Sequence, residues 1–411
     1  MRVAVVGAGL AGLACATDLV AAGTDVTVIE ARSRAGGRVW SDAMPDGARF
    51  ERGGEFIEAG YDHLRRRAAE HGLALAAQGF AFAEREVRSD GRSLPTLLQE
   101  AEQVVAAVLE HLGPAAAGVS AAEAITQAPL GALARNALTR RLEGTYTVEL
   151  DRVSARWLAS AELRAGEQGE EAPSARLAAG NDALVAAMAE RLAGRLRLGC
   201  PIGALRDDGT HVAVHLLEGG DERYDRVVVT LPHPLALELL PALRARASYA
   251  RLVFGVASKL HVPLATPAAP AAVQALDAAF WTWTASGAAG GPATFASSFA
   301  GGSRAEQALE IALGAESWRT RIQALRPELA LTGESVLTNW GADPLSTGSY
   351  ACHPPGWSRR DDEELAAPAG RVHLAGEHTA AEWCGTMEGA LRSGARAASE
   401  ILALEFVRKT S

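Results

Sequence analysis

Three glycines, Gly7, Gly9 and Gly12, stand at GxGxxG spacing in the run Val3-Ala-Val-Val-Gly-Ala-Gly-Leu-Ala-Gly-Leu. The chemistry of that spacing is anion binding by backbone. The first glycine permits a tight turn, the second lets the chain approach a pyrophosphate, and the third lets a helix pack closely on a strand. The helix that follows points the positive end of its dipole at the same place. Glu30, 18 residues after Gly12, closes the stretch Asp25–Glu30 and would accept hydrogen bonds from a ribose hydroxyl pair. Together these residues predict dinucleotide binding. A second glycine pair follows in Gly36-Gly-Arg38 and a third in Gly53-Gly-Glu55-Phe-Ile-Glu58. Such pairs let backbone lie flat against a planar or phosphorylated ligand, and Arg38 can neutralise phosphate. Taken by themselves, Arg32, Arg34 and Arg38 read equally well as a solvated basic loop.

Lys259 is the second focus. Of 40 basic residues only Lys259 and Lys409 are lysine, the rest being arginine. Lys409 sits at the C-terminus, whereas Lys259 lies in the apolar run Leu252-Val-Phe-Gly-Val-Ala-Ser-Lys-Leu-His-Val, which reads as a strand. A buried lysine is costly unless paired or functional. The ordinary alternative is an edge-strand lysine snorkelling to water. A chain that avoids lysine elsewhere and keeps one here favours function.

The elements that must carry these residues follow from periodicity. An apolar strand, the glycine turn and a helix open the chain, and Asp25–Glu30 is the next strand. Asp62–Gly72, Thr96–Leu112, Ala121–Gln127 and Leu130–Leu142 are predicted helices, the last three forming an alanine-rich insertion. Gly180-Asn-Asp182 supplies turn and cap residues before a helix over Ala183–Leu192. Leu196–Leu198, His211–Leu217 and Arg226–Leu231 read as strands, with turns at Asp207-Asp-Gly209 and Gly219-Gly220. Ala265–Gly291, rich in Ala, Pro and Gly, reads as irregular chain in which Trp281 and Trp283 could be core or pocket wall. His211 and His215 share a strand face and read as solvent-facing rather than as metal ligands.

With 411 residues, 48% apolar and 22% charged, the chain is long enough for two or three domains and is not wholly disordered. The net charge of −9 argues against a nucleic-acid platform. Cys15, Cys200, Cys352 and Cys384 lie far apart, with neither metal spacing nor a disulfide framework, which suggests a reducing compartment. No apolar run long enough to span a bilayer is found. The expectation is a cytoplasmic enzyme that contacts neither membrane nor nucleic acid, with a homodimer left open.

The extended series GxGxxG, Glu30, Gly36-Gly-Arg38 and Gly53-Gly-Glu55 resembles the flavin amine oxidase superfamily, which includes monoamine, polyamine and L-amino-acid oxidases. The resemblance implies that Gly7, Gly9, Ala11, Gly12, Glu30, Arg32 and Arg38 hold the ADP half of FAD. It places Gly54 and Glu55 near the flavin ring, with Phe56 in the substrate pocket. Pro201-Ile202 and Val228-Val-Thr-Leu-Pro232 resemble a further family signature in which backbone at Ile202 meets adenine. Lys259 matches the family lysine that holds a water against flavin N5 and assists reoxidation by O2. Trp340 to Tyr350 resembles the segment between substrate sheet and flavin, with Trp340 at the cofactor and Tyr350 as one wall of an aromatic cage. Ser349 stands where covalently flavinylated members carry cysteine, and Cys352 is out of register, so FAD is expected to be non-covalent. Gly376 and Glu377 fall at the ribitol–pyrophosphate region. Backbone at Thr386 and Met387, at a helix N-terminus, would meet the flavin N1–C2=O edge and stabilise an anionic reduced flavin. Trp383 and Thr386 complete the pocket; monoamine oxidases place a second cage tyrosine where this chain has Thr386, so one wall is short. Cys384 reads as a packed residue.

The expected fold is mixed α/β (α+β mixed): a discontinuous Rossmann-type FAD-binding domain plus a substrate-binding domain of mixed sheet with a helical insertion. The first would comprise residues 1–78, 195–245 and 345–411, the second 79–194 and 246–344. The expected reaction is oxidation of a small amine to an imine, with O2 reduced to hydrogen peroxide. Three alternatives stay open: an L-amino-acid oxidase or related oxygenase, a desaturase-type flavoprotein acting on C–C bonds, and a non-enzymatic FAD-bound protein. Glu58, if it faces the pocket, would repel a substrate carboxylate.

Overall fold

The computed structural model describes residues 1–82, 85–89, 92–158, 174–287 and 290–410. Strand β1 (Arg2–Val6) runs into helix α1 (Leu10–Ala21) and strand β2 (Asp25–Ile29). β1 pairs in parallel with β2 on one side and with Arg226–Val229 on the other. The five-stranded sheet has the order Val372–Leu374, Arg226–Val229, β1, β2, Leu196–Arg197, all parallel. Parallel strands covered on both faces need continuous apolar runs rather than alternation, and Val3 to Val6 are all buried.

Helix α1 is apolar nearly all round because it lies between the sheet and two other helices. One is the C-terminal helix Met387–Thr410 and the other is Asp182–Glu190, whose Leu184, Val185 and Met188 enter the same core. The approach of α1 to the C-terminal helix requires Gly394: a Cβ there would sit 2.2 Å from the Ala11 carbonyl.

A seven-stranded mixed sheet forms the second layer system, in the order Val336–Asn339, Ala257–Ala268, Ala293–Gly301, Phe280–Thr284, Ala271–Gln274, Glu86–Ser89, Arg92–Leu94. One pairing, Ala271–Gln274 with Glu86–Ser89, is parallel and the others are antiparallel. The irregular chain expected over Ala265–Gly291 is corrected here for the described residues: Ala257–Ala268 runs into it, and Ala271–Gln274 and Phe280–Thr284 are strands. Burial decides this against composition, since Val273, Trp281 and Trp283 are enclosed between neighbouring strands. The prolines fall at the register irregularity between Pro263 and Ala268 and in the following turn.

Helices α2 (Asp62–Glu70), α3 (Leu97–Leu112), α4 (Ala121–Gln127) and α5 (Ala132–Tyr146) occupy the predicted places, α5 running four residues past its expected end. Ser120 and Glu123 form a capping box at α4. The middle β region is a three-stranded antiparallel sheet, Ile202–Asp207, Val212–Leu216 and Gly220–Tyr224. No helix among the described residues is long and apolar enough to cross a membrane.

Candidate functional site

A cavity of about 1680 Å³ runs from the glycine turn after β1 to the seven-stranded sheet and the inner faces of α3 and α5. A pocket for one small molecule is typically about 300–1,000 Å³, so this one has room for a dinucleotide and a second ligand. Gly7, Gly9, Ala11, Glu30, Arg32, Arg38, Gly54, Glu55, Phe56, Ile202, Lys259, Trp340, Tyr350, Gly376, Glu377, Trp383, Thr386 and Met387 all line it. Gly12 stands behind the lining: a Cβ there would lie 1.9 Å from the Gly7 carbonyl, so its role is helix–strand packing.

At the nucleotide end, the glycine turn is shaped for a ligand. Gly7 has φ +104° and sits against Thr230. A Cβ on Gly9 would meet nothing within 4 Å, and it would project where the cavity passes the start of α1. No side chain caps α1, which leaves its positive end for an anion. Glu30 accepts hydrogen bonds from the amides of Ala8 and Arg32, both at 2.8 Å, and so fixes the turn from within. Arg32 pairs with Asp343 at 2.9 Å and donates to Ser346. Arg38 pairs with Glu377 at 3.0 Å and donates to the Ser349 carbonyl. Glu377 also accepts from the Gly385 amide at 2.9 Å. The Arg38–Glu377 pair thereby ties the second glycine pair to the loops bearing Tyr350 and Thr386.

The third glycine pair passes beneath Trp340, and the space is exact. A Cβ on Gly53 would lie 1.8 Å from the Arg38 carbonyl and 3.0 Å from the Trp340 ring, while one on Gly54 would lie 2.9 Å from Met387 Sδ. Asn181 holds this segment by donating to the carbonyls of Gly54 and Glu55 at 3.0 and 2.8 Å. From sequence, Asn181 reads as a turn residue; its role as a clamp depends on a long-range contact that spacing does not reveal.

Lys259 is 4% exposed, on the strand Ala257–Ala268. Its Nζ donates to Glu55 Oε2 at 2.6 Å and to the Glu51 carbonyl at 3.0 Å. The other Glu55 oxygen accepts from Trp283 Nε1 and Gln78 Nε2, each at 3.1 Å. A buried lysine that would otherwise be expensive is thus neutralised by a carboxylate that is itself hydrogen-bonded. Next to the pair, burial pushes the Glu51 carboxyl up to about 7, against the hydrogen bonds from Ser41 and the Asn181 amide.

Aromatic rings form the far wall. Trp281 and Trp283 stack with centroids 4.1 Å apart, and Phe56 leans on both at 5.6 Å. Tyr350 donates to the Thr145 carbonyl at 2.6 Å, and burial raises the pKa of its phenol. Trp383 meets Tyr61 edge-on at 5.8 Å. The hydroxyl of Thr386, which could have faced the pocket, is committed to the C-terminal helix: it accepts from the Gly389 amide at 2.9 Å and donates to the Trp383 carbonyl. Cys384 is buried, with its sulfur 3.5 Å from the Ala351 carbonyl. Glu58 lines the cavity, and burial raises its carboxyl's pKa. His211 and His215 are about half exposed, and among the described residues no group of three His, Cys, Asp or Glu is placed to hold a metal.

The open space at Gly9, the uncapped α1 terminus and a cavity that continues past Gly53, Gly54 and Met387 fit a long phosphorylated ligand such as FAD. The chain matches the sequence profile of the flavin containing amine oxidoreductases over residues 10–402. AofH of Mycobacterium tuberculosis, which bears the provisional name of a flavin-containing monoamine oxidase, is 28% identical, covering 98% of this chain and 96% of its own. An L-amino acid dehydrogenase of Synechocystis is 25% identical over 97% and 94% of the two chains. Among solved structures, cyclohexylamine oxidase from Brevibacterium oxydans has the same fold, with a TM-score of 0.83 at 21% identity over 98% of this chain and 99% of that one. The chain therefore belongs to the flavin-containing amine oxidoreductase family and is an FAD-dependent enzyme of amine oxidation.

Proposed function

We propose that the protein is an oxidase that converts a small amine to an imine, with O2 as electron acceptor and hydrogen peroxide as product. The observation that carries this reading is the buried Lys259 in the wall of an aromatic cavity, held by Glu55 and the Glu51 carbonyl. When bound, FAD supplies a two-electron acceptor for the hydride on the amine-bearing carbon. The residues proposed to hold it are Gly7, Gly9, Ala11, Gly12, Glu30, Arg32, Arg38, Gly54, Glu55, Ile202, Trp340, Gly376, Glu377, Thr386 and Met387. Ser349, in place of the cysteine of covalently flavinylated relatives, leaves the cofactor non-covalent.

Phe56, Tyr350, Trp383 and the space at Thr386 would exclude water and orient the amine, favouring its neutral form by desolvation. No side-chain base is required when the amine binds deprotonated. Lys259 would position a water for the reaction with O2, its own charge balanced by Glu55. Residues 1–78, 195–245 and 345–411 would serve the cofactor, and 79–194 and 246–344 the substrate, with helix Asp182–Glu190 packing back on the first group. The test is oxygen uptake and peroxide formation with pools of primary, secondary and cyclic amines, subdivided until one compound remains. Peroxide in proportion to oxygen consumed supports the reading. Turnover only with an artificial acceptor would make the protein a dehydrogenase.

A further inference from the structure

We propose that Arg176, which lies outside the cavity, is a positioning residue for Lys259, acting through Gln78 and Glu55. This rests on the part proposed for Lys259 above. An ammonium has three N–H bonds. Lys259 commits two of them, to Glu55 Oε2 and to the Glu51 carbonyl. The direction of the third, the one left to serve a water in the cavity, therefore depends on where the Glu55 carboxylate sits. That carboxylate is placed from behind, because its other oxygen accepts from Trp283 Nε1 and Gln78 Nε2.

Gln78 is fully buried, and its amide could present either end to Glu55. Arg176 decides which. Its Nη1 donates to Gln78 Oε1 at 2.8 Å and its Nη2 to the Ser286 carbonyl. With the amide oxygen taken by the guanidinium, the amide nitrogen faces Glu55. The reversed amide would set oxygen against carboxylate and nitrogen against guanidinium, unfavourable at both ends. The backbone keeps the two residues within reach. Leu75–Ala77 pairs antiparallel with Ala175–Leu177, Ala76 opposite Arg176, so Gln78 and Arg176 are diagonal neighbours on one face. The Gln78 amide donates to the Ser174 carbonyl at 2.7 Å, and the Gln78 carbonyl accepts from the Ser286 amide at 2.8 Å. Ser286 thus holds both the glutamine backbone and the arginine fork. Arg176 is 8% exposed, and among the described residues its guanidinium bonds run to Gln78 and Ser286 rather than to a carboxylate. Its charge polarises the amide and strengthens the bond that the amide gives to Glu55. The row is Arg176, Gln78, Glu55, Lys259.

The test reads the flavin and the lysine separately. The holoprotein is reduced by light and EDTA under argon, which needs no amine, and is then mixed with aerated buffer. Arg176→Met and Gln78→Met should each slow the return of visible flavin absorbance by about three-fold or more, the lower end of what one hydrogen bond is worth. The two changes together should slow it no more than Gln78→Met alone, and neither should add to Lys259→Met. Arg176→Lys, which keeps a charged donor for the Gln78 side-chain oxygen, should restore most of the rate. Melting temperature and flavin content control for folding, and Gln78→Met carries the test should Arg176→Met fail to fold. The second readout uses the fact that Lys259 and Lys409 are the only lysines of the chain. In protein made with heavy-nitrogen-labelled lysine, the Lys259 Nζ resonance should move in Arg176→Met and Gln78→Met while that of Lys409 stays. A wild-type rate in both variants, slowing beside an unmoved Lys259 resonance, or slowing in Arg176→Met alone would overturn the proposal. Should Lys259→Met itself recover as fast as wild type, the reading of Lys259 fails, while the resonance still decides whether Arg176 holds it in place.

Discussion

The separate losses from breaking the Lys259–Glu55 pair at either residue should sum to more than the loss from removing both at once. The pair is 2.6 Å long, and both side chains are less than a tenth exposed. Removing one partner of a buried ion pair leaves an uncompensated charge and typically costs about 3–5 kcal/mol. The two halves are unequal. In Lys259→Met, Glu55 keeps the Trp283 and Gln78 donors, so the loss belongs near about 3 kcal/mol. In Glu55→Gln, the new amide nitrogen must face either the Lys259 ammonium or the indole N–H, donor against donor, and the loss belongs near about 5 kcal/mol. The double variant carries no buried charge at this place and should recover at least about 2 kcal/mol relative to the sum of the singles. Urea unfolding of the four holoproteins, followed by tryptophan fluorescence, closes the cycle. Single losses that simply add would refute the reasoning, because Lys259 and Glu55 would then not be each other's principal partners.

The cofactor turn gives a contrast between neighbours. Gly9→Ala should leave the melting temperature of the flavin-free protein within a degree or so but lower the flavin-to-protein ratio, whereas Gly12→Ala, 1.9 Å from the Gly7 carbonyl, should destabilise the fold by about 1–3 kcal/mol or more. Equal loss of melting temperature in both would contradict the assignment of Gly9 to the ligand. Glu51 makes stability depend on pH: its carboxyl binds a proton more tightly folded (about 7) than unfolded, so its contribution is complete below the ordinary carboxylate range and fades as pH rises through 7. Relative to wild type, Glu51→Gln should therefore gain stability between pH 5 and pH 8, and a pH-independent difference in urea midpoint would count against this. Thr386→Ala removes the cap of the C-terminal helix and should cost about 1 kcal/mol, with Thr386→Ser recovering most of it; no loss in Thr386→Ala would return the hydroxyl to the pocket.

Local patterns made much of this molecule legible before its structure. The glycine turn, Glu30 and the buried β1 run are short-range features, and geometry within about thirty residues dictates them. Lys259 was legible for a compositional reason, as a lysine in a chain that otherwise uses arginine. What spacing did not convey were contacts across long stretches of chain: Asn181 clamping Gly54 and Glu55, Glu388 capping α2 through the amides of His63 and Leu64, and the partnering of Glu55 with Trp283. The strands over 265–284 were missed because alanine and proline suggest loop, while cross-strand burial of Trp281 and Trp283 overrides that preference. Arg176 gave no signal in sequence, since an arginine among many stands out only when its neighbours and their charges are known.

Amine oxidation in the Lys259 cavity and the proposed part of Lys259 in returning electrons to O2 are separable in time. Rapid mixing separates the two halves in wild type and Lys259→Met: loss of the visible flavin absorbance when amine is added under argon, then its recovery when air is admitted. Wild type should bleach with an amine and recover with one peroxide per flavin, and Lys259→Met should bleach at a similar rate but recover at least ten-fold more slowly. A wild-type protein that no amine bleaches would contradict the function, and a Lys259→Met protein that recovers as fast as wild type would remove Lys259 from it.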